Sequence, residues 1–362
     1  MIVMLCTRDR GGIRAVVEAY RRDGFIDAWG VEVVNTHAEG SLAKRIGMFL
    51  IAFARFARLL VQHDRIEGVH CHVATRGSVW RKLIFSSTAQ AFGIPVILHL
   101  HGAETRDYFE RQPPWIQRLV TRMIERATAV IVLSDGWKRY VSSIAPRAEI
   151  MVICNYVRLP DCVQRPEGDR VRLLFLGEVG RRKGIYELLD AMVHVVSVQP
   201  DVRLLVGGKG EVDKARARAE QLGIAGHVEF LGWVAGDQKD DLLRRSDIFV
   251  LPSHNEGLPM SVLEAMSWGL PVVSTAVGAI PEVIRSGDEG ILVAAGDTNA
   301  LSAALVKLAA SKALRGEMGL NARRRVEREY SMQVVLPRLH RLYETYLSGP
   351  APQLPPKQEP SP

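Results

Sequence analysis

The stretch NEGLPMSVLEA, residues 255–265, sets two carboxylates, Glu256 and Glu264, eight positions apart around a Gly-Leu-Pro step. Pro259 suits the first turn of a helix, where a missing N–H costs nothing, so a helix is predicted to begin at 258–260. Glu256 then lies in the loop ahead of it, and Glu264 about five residues inside, roughly 7–8 Å along the axis. Between them lie the unpaired amides of a first helical turn, a seat for an anion, with Leu258, Met260 and Ser261 as donors and Pro259 offering none. Fixed acceptors flanking an anion suit hydroxyl groups rather than proton transfer, because hydroxyls donate to carboxylates while phosphates take the amides. A sugar, a diphosphate and a ribose would fit together there. Either glutamate alone is accounted for by the positive end of the helix dipole; the pair in one loop is not so simply explained.

Other segments carry matching chemistry. In LLFLGEVGRRKGIYELLDA, Arg181, Arg182 and Lys183 fill a strand-to-helix loop, where cations would stabilise the charge developing on a departing diphosphate. In TRDRGGIRAVVEAY, Gly11 and Gly12 let a phosphate or sugar approach the backbone between the first strand and its helix, without forming the G-x-G-x-x-G of dinucleotide folds. LLVGGKGE, with Gly207, Gly208 and Gly210, also fails that spacing. In PVILHLHGAET a strand ends on His99 and His101, and only His101 lies just past the apolar run, beside Gly102. No D-x-D occurs, and Asp240 and Asp241 fall in a predicted amphipathic helix, so acidic ligands for Mg²⁺ or Mn²⁺ are not apparent and no metal or other cofactor is expected.

The elements that must position these residues alternate. Short β-branched runs are predicted as strands near 2–6, 31–34, 67–71, 95–99, 129–133 and 149–153, with helical patterns between them. The alternation restarts after NYVRLPDCVQRPEGDR with VRLLFLG, VRLLVGG, HVEFLG, DIFVLPS, PVVST and GILV. This is an α/β chain of two Rossmann-like, doubly wound parallel-sheet domains, residues 1–160 and 170–330, joined near 156–169 and facing a cleft. A helix is predicted at 331–348. The tail, 349–362, is expected to be disordered, PAPQLPPKQEPSP holding six prolines in 13 residues.

Bulk properties narrow the classes. The 362 residues suffice for two cores, and the composition, 47% hydrophobic and 24% charged, is globular. Cys6, Cys71, Cys154 and Cys162 show no metal-ligand spacing, which points to a reduced, cytoplasmic protein. The N-terminus lacks the basic region and cleavage site of a signal peptide, and Arg55 and Arg58 interrupt the best membrane-span candidate. Residues 1–165 hold 23 Lys or Arg against 15 Asp or Glu, net +8, whereas residues 166–362 hold 24 against 25, net −1. The first half is thus expected to face an anionic partner. Basic segments without interleaved aromatics or a reader motif argue against nucleic acid.

The segment SLAKRIGMFLIAFARFARLLVQH has Leu42, Ile46, Phe49, Phe53, Ala57 and Leu60 on one helical face, expected to pack on the first sheet. Lys44, Arg45, Arg55 and Arg58 fall opposite, among Met48, Ile51 and Leu59. That mixture suits an anionic membrane surface or a lipid-diphosphate acceptor, or else an ordinary buried helix with long cations snorkelling outward.

The E-x7-E pattern, preceded by FVLPS and followed by EAMSWGLPVV, resembles the donor-site signature of glycosyltransferase family 4, retaining enzymes of the GT-B fold, among them bacterial surface-polysaccharide glycosyltransferases. The likeness covers nearly all of the chain except the tail. It implies that Glu256 binds hydroxyls of the transferred sugar, Glu264 binds the nucleotide ribose, and Lys183 is the family's phosphate-binding lysine. It further implies that His101 contacts the donor sugar, Gly11 and Gly12 form the N-domain glycine loop, Gly208 lies beside the nucleotide, and main-chain groups near Val234 meet the base edge. The implied donor is a UDP- or GDP-linked sugar and the implied acceptor a lipid-linked saccharide or oligosaccharide, with retention through a same-face transfer and no enzymic nucleophile. A peripheral position on the inner face of the plasma membrane follows.

Two departures from the family pattern matter. The usual arginine is replaced by Glu178, with Arg182 the candidate substitute, and Pro259 stands where members often have glycine. Both favour an alternative, a non-catalytic sugar-nucleotide-binding or scaffold subunit of a polysaccharide assembly complex.

Overall fold

The computed structural model describes residues 1–9, 11–62, 66–102, 104–161 and 170–347. Cys162, most of the predicted linker and the proline-rich tail lie outside the described residues. The chain forms two compact units, Cys154–Val335 and a second made of Met1–Ile153 with the described residues from Leu336 onward.

In the first unit six strands, β1 (Ile2–Cys6), β2 (Val31–Asn35), β3 (Gly68–Val73), β4 (Val96–Leu100), β5 (Ala129–Val132) and β6 (Ile150–Val152), form one parallel sheet in the order β2-β1-β3-β4-β5-β6. Helices cover both faces, so β1, β3, β4 and β5 are buried throughout and read as apolar runs. Val3, Leu5, Val69, Cys71 and Leu98 join a core with Phe56 of helix Leu42–Gln62 and Phe85 of helix Gly77–Ala91. Alternation sends His70, His72 and His99 to the other face. There Tyr343, fully buried on the C-terminal helix Met332–Tyr346, packs edge-on against Phe25 and Trp29.

Helix Leu42–Gln62 packs on the core through Phe49, Phe53 and Leu60 as expected, and departs from the expected facing at its first turns and at Leu59. Residues 41–46 are all exposed, Leu42 at 67% and Ile46 at 49%, because the first turns stand clear of the core whatever face they present. Leu59, expected outside, is buried with Ala52 and Phe56. Leu50, Ile51 and Val61 are exposed, and Arg55 is engaged by Glu32 at 2.9 Å. Among the described residues no helix is long and apolar enough to cross a membrane.

The second unit repeats the architecture with β7 (Arg172–Leu176), β8 (Arg203–Gly207), β9 (Val228–Gly232), β10 (Ile248–Leu251), β11 (Val272–Thr275) and β12 (Gly290–Val293), all parallel, in the order β12-β11-β10-β7-β8-β9. From β7 the chain winds outward through β8 and β9, then returns to place β10 on the other side of β7. The connections leaving the carboxyl ends of β7 and β10 therefore run on to opposite sides of the sheet, and their starts mark the point where open α/β sheets bind ligands.

Candidate active site

The loops after β7 and β10 carry the residues singled out by sequence. After β10 the chain turns through Pro252–Pro259 into helix Met260–Ser267, with Pro259 as N-cap at φ −71° and ψ 124°. The Val262 amide bonds the Pro259 carbonyl at 3.2 Å, while among the described residues no acceptor takes the amides of Met260 and Ser261. These two half-buried donors at the positive helix end are available to an anion. Leu258 is buried, and its carbonyl accepts from Asn155 Nδ2 at 2.8 Å, which anchors the turn.

Glu256, only 5% exposed, sits in a polar nest rather than in apolar packing. One carboxylate oxygen accepts from the Lys183 ammonium and from Ser253 Oγ, the latter at 2.6 Å. Two glycines make this meeting possible. Gly184, at φ +73°, follows the short turn Arg181–Lys183, and a Cβ there would stand 2.0 Å from the Pro252 carbonyl oxygen. The loops after β7 and β10 thus touch backbone to backbone, and Lys183 is delivered to Glu256. Gly278, at φ +58°, backs the same residue, since a Cβ would come within 1.9 Å of the Glu256 carbonyl oxygen. Arg182 is paired with Glu178 at 3.0 Å on the exposed side of the loop, so the arginine and the glutamate standing at the family's arginine position are direct partners.

Glu264, on the first turn and a half of its helix, accepts from Lys239 at 2.6 Å. Lys239 comes from helix Asp237–Arg245, which also holds Asp240 and Asp241. Val234 is buried, its side chain filling the space over Gly207. Gly208 is packed against backbone, its amide bonding the Gly232 carbonyl at 2.7 Å while a Cβ would meet the Gly177 oxygen at 1.7 Å. Its small size is therefore required by the protein itself.

In the first unit, Gly11 caps helix Gly12–Arg22, and a Cβ on either Gly11 or Gly12 would meet nothing within 4 Å, so the space beside this loop is open. His101 is half-buried, with Nε2 2.8 Å from Nδ1 of His72. It is the last rung of a stack, in which His70 and His72 have ring centroids 4.5 Å apart and His99 and His101 3.9 Å apart. Burial pulls the His101 imidazole down to about 3, and burial with the neighbouring His101 does the same to His70. Both are neutral at pH 7. Nitrogens of His70, His72 and His99 lie within 4.8 Å of one another. Stacked rings aim their lone pairs side by side rather than at one point, and His70 already spends its nitrogens on Tyr343 (2.6 Å) and His99 (3.3 Å), so this cluster is poorly formed as a metal cage.

Residues 2–156 match the glycosyl transferase 4-like domain, and residues 163–325 match the glycosyl transferases group 1. The chain is 38% identical over 322 residues to the phosphatidyl-myo-inositol mannosyltransferase of Mycobacterium leprae, covering 84% of this chain and 80% of that protein. The chain belongs to glycosyltransferase family 4. Its fold is GT-B: sucrose-phosphate synthase from Thermosynechococcus elongatus superposes with a TM-score of 0.80 at 19% identity, over 95% of this chain and 98% of that one. Anabaena Alr3699/HepE, solved with UDP-glucose, gives 0.72 at 17% identity, over 95% and 100%.

Several residues of this glycosyltransferase escaped the sequence. Ser253 and Gly278 hold Glu256, and Lys239 holds Glu264. The signal for Ser253 is present in FVLPS, where a serine closes the strand; Gly278 follows β11, where a glycine in a strand-to-helix loop marks a close backbone approach. Lys239 carried no signal, because its partner lies 25 positions away on another helix.

Proposed function

We propose that this glycosyltransferase moves a sugar from a UDP- or GDP-linked donor to a lipid-linked saccharide at an anionic membrane surface, in bacterial polysaccharide or glycolipid assembly. The observation carrying the donor half is the convergence, at the β7/β10 crevice, of the Lys183 ammonium, the Met260 and Ser261 amides and the carboxylates of Glu256 and Glu264. Amides and ammonium take the diphosphate; Glu256 takes sugar hydroxyls and Glu264 the ribose. As the bond from the anomeric carbon to the diphosphate oxygen breaks, the acceptor oxygen bonds to the same face, and its proton passes to the departing phosphate. The ammonium and amides stabilise the charge left there, so no metal need do so.

The acceptor half is supported by the exposed mixture of Leu42, Ile46, Leu50 and Ile51 with Lys44 and Arg45, and by the relative named for a phosphatidyl-myo-inositol acceptor. The experiment is sugar transfer from UDP- and GDP-sugars to membrane lipid extract, with and without EDTA. Transfer that survives EDTA is expected; release of nucleotide from none of the donors would refute the proposal.

A further inference from the structure

The first sheet has its own switch point, where β2 and β3 flank β1, and a cavity of about 210 Å³ opens at the carboxyl ends of these strands. Thr7, Asp9, Thr36, Ser78, Arg81 and Lys82 are among its lining residues. Lys82 is only 2% exposed, and among the described residues its ammonium has one hydrogen bond, to Thr36 Oγ1 at 2.6 Å, and no carboxylate within ion-pair distance. Its charged neighbours are few: burial lowers the ammonium to about 8, the Cys71 and Cys6 thiols oppose that, and Arg81 adds to it. Arg81 Nε and His72 Nε2 are buried without a partner. Asp9 cannot serve these cations readily, since one oxygen accepts from the Glu39 amide and the other from Thr7 and His37.

A buried ammonium with no carboxylate in ion-pair reach, and a guanidinium whose nearby acid, Asp9, has both oxygens already engaged, face a void suited to an anion. The backbone agrees. Arg76, the residue before helix Gly77–Ala91, holds φ +56°, the strained region that functional turns retain. The first turns of that helix, with no acidic residue, carry Ser78, Arg81 and Lys82 toward the cavity. Two cations match a phosphate ester, at roughly −1.5 to −2 charge, better than a single carboxylate. Thr7, Thr75 and Ser78 add hydroxyls suited to a polyol. The volume is below the roughly 300–1,000 Å³ of drug-sized pockets and fits a phosphate with a few carbons.

We propose that this cavity binds the phosphate of a hydroxyl-rich phosphate ester, the anionic end of the acceptor. The inference rests on the glycosyl-transfer reading for the word acceptor, but the anion site stands on its own geometry. The test is calorimetry on the full chain with inorganic phosphate, glycerol 3-phosphate and glycerol, alongside UDP and GDP. Glycerol 3-phosphate is expected to bind and glycerol not, with Arg81→Gln and Lys82→Met each weakening it about tenfold or more while nucleotide affinity is unchanged. If Lys82→Met does not fold, Arg81→Gln, at a half-buried position, decides alone. No phosphate binding up to about 10 mM, or equal affinity in the variants, would overturn the proposal. Loss of nucleotide binding in wild type would instead strike the donor reading. A second arm separates the sources: sedimentation with phosphatidylinositol vesicles in excess of that with phosphatidylserine vesicles of equal charge, the excess being lost in Arg81→Gln, assigns the phosphate to a lipid headgroup, whereas soluble ester binding without that excess assigns a free phosphate.

Discussion

The ammonium of Lys183 meets the carboxylate of Glu256 across the switch point of the second sheet, joining two loops 73 positions apart in the chain. Each is mostly shielded, at 13% and 5% side-chain exposure, so the pair is preorganised before any donor arrives. Removing one partner strands the other, which is the costly way to break a buried pair. Lys183→Ala is expected to lower turnover at least about a hundredfold, the scale of losing one charge-stabilising group. Steady-state kinetics with the identified donor would show it, and unchanged kcat would remove Lys183 from the site.

In the proposed transfer the two glutamates divide the work. Glu264→Ala is expected to weaken nucleotide binding by about tenfold or more, while Glu256→Ala keeps nucleotide affinity and loses transfer by about a hundredfold. Titration with UDP or GDP together with transfer rates separates the roles. Full activity in both variants would overturn the assignment.

The glycines sort into two kinds. Gly184→Ala and Gly278→Ala force a Cβ to within 2.0 and 1.9 Å of backbone oxygen and impose left-handed φ on a side chain, so each is expected to cost about 1–3 kcal/mol and lower Tm. Gly11→Ala meets open space and is expected to leave Tm unchanged while reducing transfer. Thermal denaturation beside activity tests both; a destabilised Gly11→Ala would make that loop structural.

Much of this was legible in the sequence. Strands buried on both faces are continuous apolar runs, and all twelve segments named from the sequence are strands in the two sheets. The alternation also located the loops holding Lys183 and Glu256. Their pairing was not legible, because it depends on which strands become neighbours. Phe49, Phe53 and Leu60 were rightly placed on the packed face of helix Leu42–Gln62, but its ends were not legible, since Leu42 and Leu59 are equally apolar and only the reach of the sheet beneath decides which is covered. Lys82 was passed over for the same reason: RKLIF reads as an ordinary helix, and the cavity beside it is made by other strands.

The histidine stack predicts an acid-sensitive first unit. His70 and His101 have folded values near 3 against 6.5 for the free group, and His72 and His99 are also held well below 6.5. The unfolded chain therefore binds more protons below pH 6.5, so stability is full above that pH and falls as pH drops from about 6.5 toward 3. Denaturant titrations across that range are expected to show a slope of roughly 1.4 kcal/mol per pH unit for each histidine engaged. His99→Phe should flatten the slope; the same slope in that variant would place the sensitivity elsewhere.

The proposed membrane attachment rests on exposed residues. Lys44→Glu with Arg45→Glu, on turns that pack against nothing in the core, is expected to release the protein from anionic vesicles without changing Tm. Arg55→Glu is expected to matter less, since Glu32 already engages that side chain. Sedimentation with anionic vesicles unchanged by the double substitution would withdraw the surface from the account.

If the entrance to helix Met260–Ser267 seats the donor diphosphate, a crystal structure with bound UDP or GDP is expected to show phosphate oxygens within hydrogen-bond reach of the Met260 and Ser261 amides and the Lys183 ammonium, with the ribose at Glu264. A nucleotide bound away from that turn, or a ribose with no contact to Glu264, would contradict it.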